Sequence, residues 1–348
     1  MNKQIDWFQI HVKLSKQFHA GAALNDSNLI RKKMDYGTKH FRAIDEIFDK
    51  RYPSKRVASI AYIPNSTALP AFMGIIKFDN WLLYQVYSYR YILDFITFNE
   101  FDFQNLTRVD IAIDFNFLDY RNIHPERFIK KFLREDYTKV RKSKFHVIGN
   151  NGDRHYYQYL KFGSAKSRVC SYIYNKTKEL EEVENKPHIR EAWERNGLNG
   201  EIWRCEFRIQ DFDFLLTDTD TGEQISYNGS VSGLNSLDIL KPEVSNNVFN
   251  ALADHYLHFK INGNDTNKTR LQSFKIFNTD GTKLFNRVYN EQHESNRSTK
   301  IFLKKLYELN NEMRGTDYEF SIEQNNLINK MIDAHRLEEW AAKKGIKE

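Results

Sequence analysis

Residues 107–117, TRVDIAIDFNF, constrain this chain more than any other stretch. Apolar side chains fall at every second position, with Val109, Ile111, Ile113, Phe115 and Phe117 on one side. Arg108, Asp110, Ala112, Asp114 and Asn116 fall on the other. Period-two alternation is the mark of a strand burying one face, so the chain must build a sheet. That sheet carries two carboxylates on its polar face, with only an alanine between them. Aspartate is a poor strand former and is costly to bury unless paired or bound to a cation. The face is therefore either solvated, with Asp110 paired to an arginine, or part of a site.

Two further strands carry chemistry. Over 202–209, Trp203, Cys205, Phe207 and Ile209 alternate with Arg204, Glu206 and Arg208. A carboxylate flanked by arginines reads as a structural ion-pair ladder or as a site. Over 167–179, Arg168, Cys170, Tyr172, Tyr174 and Lys176 project to one side. Most strand tyrosines are packing residues, but Tyr174 shares its side with Lys176 and follows Gly163, Ser164 and Ser167. The run 139–178 is basic, including Lys142, Lys144, Lys161, Lys166 and Arg168, with Asp153 its single acid; Tyr156, Tyr157, Tyr159 and Phe162 are interleaved. Cations for phosphates and rings for unstacked bases suit a single-stranded DNA groove, while a solvated basic hairpin is the plainer reading.

Along the chain, strands are expected at 8–14, 57–63, 71–78, 82–88, 142–148 and 155–162. Helices are expected at 26–49, 90–98, from Pro125, and at 178–196. Strands and helices in mixed order predict an α+β fold with a largely antiparallel central sheet and flanking helices. The polar stretch after 215 suggests a boundary, giving a catalytic domain over 1–215 and a mostly helical region over 216–348 with helices at 243–260, 283–313 and 321–343. The apolar stripes of that region read as core packing. The excess of 52 lysines and arginines over 46 acids is mild, so the local distribution says more than the net charge of +6. Two cysteines make neither a disulfide framework nor a zinc motif, and the absence of a signal pattern or apolar span predicts a soluble cytoplasmic protein without a membrane partner.

Taken together, these strands resemble the plasmid and phage rolling-circle replication-initiation factors of the Rep_trans type. The matching residues are Arg108-x-Asp110-x-x-x-Asp114, Gly163-Ser164-x-x-Ser167, Tyr174-Asn175-Lys176-x-x-Glu179 and Arg204-x-Glu206-Phe207, spread over about 100–210. Positions 165 and 172, arginine in many relatives, are Ala165 and Tyr172 here.

The resemblance implies a nickase that cuts one strand at a double-strand origin, forms a 5′-phosphotyrosine link and leaves a 3′-OH. By that resemblance Tyr174 is the nucleophile, with Lys176 beside it and Tyr172 as the alternative. Asp110, Asp114 and Glu206 would hold Mg²⁺ or Mn²⁺, the hard cations that all-oxygen ligands favour. Arg108, Lys142, Lys144, Lys161, Lys166, Arg168, Arg204 and Arg208 would contact origin DNA, duplex and single-stranded. The helical region over 216–348 would bind origin DNA or mediate dimerisation, and host helicase and polymerase, with a second copy of the chain, complete the expected partners. Three other readings stay open: a relaxase of a conjugative or mobilisable element, a DNA-binding protein whose carboxylates only pair with arginines, and a metal-dependent nuclease that uses water.

Overall fold

The structure, a computed structural model, describes residues 3–66, 69–151, 155–164, 167–183, 186–210, 212, 214–217, 224–225, 235–263, 270–279, 285–287, 297–316, 320–334, 337–343 and 346. Its elements begin with β1 (Lys3–Lys13), α1 (Lys16–His19), β2 (Leu29–Lys33), β3 (Phe41–Asp49), β4 (Arg56–Pro64) and β5 (Met73–Phe78). Then come α2 (Asn80–Leu83), α3 (Ser88–Phe98), β6 (Asp102–Phe115), α4 (Pro125–Leu133), β7 (Tyr137–Lys139), β8 (Phe145–Asn151) and β9 (His155–Phe162). β10 (Val169–Asn175), α5 (Lys176–Glu182), α6 (Pro187–Arg195) and β11 (Trp203–Ile209) follow. The remainder comprises β12 (Phe214–Thr217), β13 (Gln224–Ile225), α7 (Pro242–Tyr256), β14 (His258–Ile261), β15 (Ser273–Lys275), β16 (Phe285–Arg287), α8 (Arg297–Met313), α9 (Ile322–Ala334) and α10 (Glu338–Lys343).

Ten strands form one sheet in the order β2-β3-β4-β5-β1-β6-β11-β10-β9-β8, and the paired neighbours run antiparallel. This is an α+β fold. One face of the sheet is apolar, with Phe8, Ile10, Ile76, Val109, Ile111, Cys205 and Phe207 fully buried. Helices cover that face: Phe95 of α3 meets Phe78, Phe132 of α4 meets Phe162, and Phe249 of α7 meets Phe207. The other face holds the polar side chains, and α5 and α6 lie against part of it, Trp193 of α6 donating to Asp114 at 2.7 Å.

Several expectations change. Residues 26–49, expected as a helix, are the hairpin β2–β3. The inward positions of β3 are Phe41, Ala43, Asp45, Ile47 and Asp49, and the two buried aspartates break the apolar alternation. They are tolerated because Arg31 pairs with Asp45 and Arg51 with Asp49. The expected strand at 82–88 is instead the end of α2, a turn over 84–87 and the start of α3: Trp81, Leu82, Leu83 and Tyr84 are buried consecutively, which a strand with one wet face cannot do. The helix expected over 178–196 is two helices, the second opening with Pro187 in its first turn.

The chain divides into two compact units, Met1–Arg287 and Val288–Glu348. The polar stretch after 215 therefore falls inside the first unit, to which α7 contributes Val248, Phe249 and Leu252 as core residues. The second unit has its own small core, including Leu303, Ile332 and Ala341. Among the described residues no helix is long and apolar enough to cross a membrane.

Candidate active site

The site begins with register. In the middle of the sheet β11 sits between β6 and β10, placing Asp110 opposite Arg208, Ala112 opposite Glu206 and Asp114 opposite Arg204. On the other side Tyr172 lies opposite Glu206 and Tyr174 opposite Arg204. The three chemistry-bearing strands are thus immediate neighbours on the polar face. The Tyr174 hydroxyl donates to Glu206 Oε2 at 3.1 Å. A cleft of about 490 Å³ opens here, lined by Asp6, Asp110, Tyr172, Tyr174, Lys176 and Glu206 among others.

The corner after Tyr174 is tightly tied. Asn175 caps α5, its Oδ1 accepting from the Lys178 backbone N–H at 3.0 Å. Its amide donates to Glu201 Oε1 at 2.7 Å, and the same oxygen accepts from Tyr156 at 2.8 Å and from Trp203 at 2.9 Å. Lys176, the first residue of α5, is only 2% exposed; its ammonium lies 5.5 Å from the Tyr174 ring centre and 2.5 Å from Glu179.

Charge is crowded in this cleft. Burial, then Asp110 and Asp6, push the Glu206 carboxyl up to about 8 against the pull of Arg204 and Lys176. Burial, then the Glu206 charge, raise the Tyr174 phenol well above its ordinary value. Burial, then Arg204, lower the Lys176 ammonium. Burial alone would raise Asp6, yet Arg204, Lys176 and bonds from Tyr84 and Asn80 hold it well below the usual carboxylate range.

The structure brings most of the expected residues together but not all of them. Asp110 remains in the cleft, where Arg108 Nε donates to it at 2.9 Å and Arg208 Nε stands 3.7 Å away. Asp114 does not join it. Both its oxygens accept from Arg204, at 2.6 and 2.7 Å, and Trp193 donates to it as well. Arg204, fully buried, also binds Asp6 at 2.5 Å and Tyr84 at 2.8 Å. A side chain sealed in this way cannot touch DNA, so Arg204 is a structural clamp beneath the cleft and Asp114 is its counter-ion.

Arg108 and Arg208 line the cleft, and Lys161 stands opposite Tyr172 on β9. Lys142 lines a different cleft with Phe132 and Phe145. Lys144 and Arg168 are exposed and do not line the Tyr174 cleft, and Lys166 lies outside the described residues. Gly163, Ser164 and Ser167 form the turn from β9 to β10, where Gly163 has φ +99° and Ser167 Oγ accepts from the Ser164 N–H at 2.9 Å. Asp6 and Trp7 on β1 were not legible as site residues; a single aspartate between Ile5 and Trp7 is the only sequence signal.

Among the described residues no three histidine, cysteine, aspartate or glutamate side chains converge as a metal-holding group. The residues fit a hard divalent cation as the pair Asp110 and Glu206: the acidic crowding that keeps Glu206 neutral is relieved by positive charge, and Mg²⁺ commonly binds through one or two carboxylates plus water and phosphate. Asp114 does not fit that set.

Fold and site together define an α+β protein with a tyrosine–carboxylate cleft on the open face of a wide antiparallel sheet. No family model matches the chain, and no curated protein matches it in sequence. Its structure is similar to that of a rolling circle replication initiator protein from Geobacillus stearothermophilus, at 14% identity and a TM-score of 0.44, covering 79% of this chain and 93% of that one.

Proposed function

We propose that this protein is a replication initiator that nicks one DNA strand at a double-strand origin by transesterification through Tyr174. The observation that carries the reading is the bond from the Tyr174 hydroxyl to Glu206, made on the wall of an open cleft that also holds Asp110. A phenol raised by burial needs a base at hand, and Glu206, ionised once positive charge relieves its acidic crowding, is the carboxylate placed to accept its proton. In the step, the phenol oxygen forms a bond to phosphorus, the P–O3′ bond breaks, and the phenol proton passes to Glu206. The 3′ oxygen leaves and is protonated to the 3′-OH that a host polymerase extends behind a helicase. Lys176, beside the ring, offers its charge to the phosphate or to the phenolate.

Mg²⁺ or Mn²⁺ held by Asp110 and Glu206 would neutralise charge on the phosphoryl oxygens. The linkage conserves the phosphodiester energy for rejoining. A second reading, a DNA-binding protein without catalysis, is favoured by the pairing of Asp110 with Arg108 and of Asp114 with Arg204. Incubation with an origin-bearing single-stranded oligonucleotide and Mn²⁺ separates the two. We expect a protein–DNA band stable to denaturation, and its loss in Tyr174→Phe with oligonucleotide affinity retained. No adduct from the unaltered protein favours the second reading, while an adduct surviving in Tyr174→Phe moves the nucleophile to Tyr172.

A further inference from the structure

On either side of the cleft, the polar face carries a row of cations held on aromatic rings. Trp7 of β1 bears two of them, with the Lys77 ammonium 3.6 Å and the Arg108 guanidinium 3.9 Å from its ring centre. Tyr172 of β10 bears two more, with Arg208 at 5.0 Å and Lys161 at 5.2 Å. Register sets them on a diagonal. Lys77 and Arg108 both lie opposite Gln9; Arg208 lies opposite Asp110, two residues further along β6; Glu206, opposite Ala112, is two residues further again and level with Tyr172 and Lys161. The row thus crosses β5, β1, β6, β11, β10 and β9, neighbours in that order. Five inter-strand steps of about 4.8 Å make roughly 24 Å sideways, and four residues along the strands add about 13 Å at right angles to that, a diagonal of roughly 28 Å.

Two carboxylates, Asp110 and Glu206, lie within the row, and Asp110 is shared between Arg108 and Arg208. At the β5 end Lys77 is crowded: burial, then Arg56, with Arg108 and Lys186, lower its ammonium, and Asp79 opposes them. Cations brought this close gain from an anion laid across them. Each ring, meanwhile, holds its cations over its face and reduces the side-chain freedom lost on binding.

We propose that this row is the track for the sugar–phosphate backbone of a single DNA strand, which crosses the sheet obliquely to its strands from Lys77 to Lys161 and passes over Glu206 and Tyr174. At the duplex rise of about 3.4 Å per nucleotide the track spans roughly eight nucleotides, and fewer in a stretched chain. The proposal rests on the reading of the chain as a strand nickase, and it adds Lys77 and Trp7, on the far side of the cleft from the basic hairpin, to the DNA surface.

The test is binding of fluorescein-labelled oligothymidylate, fifteen nucleotides long, to the full chain without divalent metal, followed by anisotropy over a salt series. For a single strand, every phosphate that a cation no longer neutralises lowers the slope of log affinity against log salt by about 0.7. Lys77→Ala and Lys161→Ala are each expected to lower the slope by about that amount. Lys77→Met, which keeps the stem packed on Trp7, should do the same and guards against a folding defect. Trp7→Ala should weaken binding several-fold. Lys32→Ala, on the exposed edge strand β2, should leave the slope unchanged. An unaltered slope in both Lys77 variants overturns the track, as does an equal loss in Lys32→Ala. Slope losses confined to the row, in a protein that forms no covalent adduct with Mn²⁺, would uphold the track and remove the nickase instead.

Discussion

Burial and two neighbouring carboxylates leave Glu206 neutral over a pH range in which an ordinary glutamate is ionised. Its folded pKa, about 8, lies above the value of about 4.3 expected in the unfolded chain. Between the two, the folded protein holds a proton that the unfolded chain has lost, so this contribution to stability is complete below about pH 4 and disappears as pH rises through 8. Gln is a neutral mimic and carries no such penalty. Glu206→Gln should therefore match the unaltered protein near pH 5 and melt several degrees higher at pH 8.5, as read by circular dichroism. Mn²⁺ should raise the melting temperature of the unaltered protein at pH 8.5 and leave that of Glu206→Gln nearly unmoved. Equal responses to pH in the two proteins would mean that Glu206 is not the crowded acid. The sequence already pointed to Glu206 and Asp110, because each sits on the polar side of a clear alternation, and to Tyr174 through Lys176 on the same side and the Tyr-Asn-Lys-x-x-Glu resemblance. It could not separate Asp110 from Asp114. That distinction depends on Arg204, which is opposite Asp114 only once β6 and β11 pair, and on Trp193, which arrives from a helix nearly eighty residues further along.

At the scale of elements, the strand-to-helix corner after Tyr174 has one hub. Glu201 Oε1 receives Tyr156 from β9, Asn175 from the end of β10 and Trp203 from the start of β11. Glu201→Ala leaves these donors unmet and should cost about 1–3 kcal/mol, seen as a loss of a few degrees in melting temperature, with Glu201→Gln losing less because it keeps an acceptor oxygen. A variant melting with the unaltered protein would show that the corner holds without its hub. β10 and β11 were legible in the sequence within a residue or two, and β6 was legible except for its first residues, from Asp102, where the apolar alternation has not yet begun. Those missed have a physical reason. In β3, Asp45 and Asp49 occupy inward positions that ion pairs make habitable, so the pattern no longer alternates. In α2 and the turn after it, four consecutive buried residues from Trp81 to Tyr84 imitate a buried strand.

For the whole molecule, the decisive question is where the chain can be cut. A change in texture after 215 is real in the sequence but marks no break in packing. Phe249 of α7 stacks edge-on against Phe207 beneath the site strand, and Phe277 meets both Phe115 and Phe249. β14 pairs with β7, so the three-stranded sheet they form with β15 joins residues on both sides of that stretch. A chain ending at residue 240 would uncover the fully buried Phe207 and lose Val248, Phe249, Leu252, Leu257 and Phe259 from the core. Losses of that kind cost about 3–5 kcal/mol for a single large side chain, and several together exceed the marginal stability of an ordinary domain. A chain ending at Arg287 keeps the first compact unit intact. The 1–287 chain should therefore melt cooperatively and retain the near-ultraviolet dichroism of packed aromatic residues, whereas the 1–240 chain should show neither. A cooperative transition in the shorter chain would place the stability of the sheet in its strands alone and leave α7 an accessory.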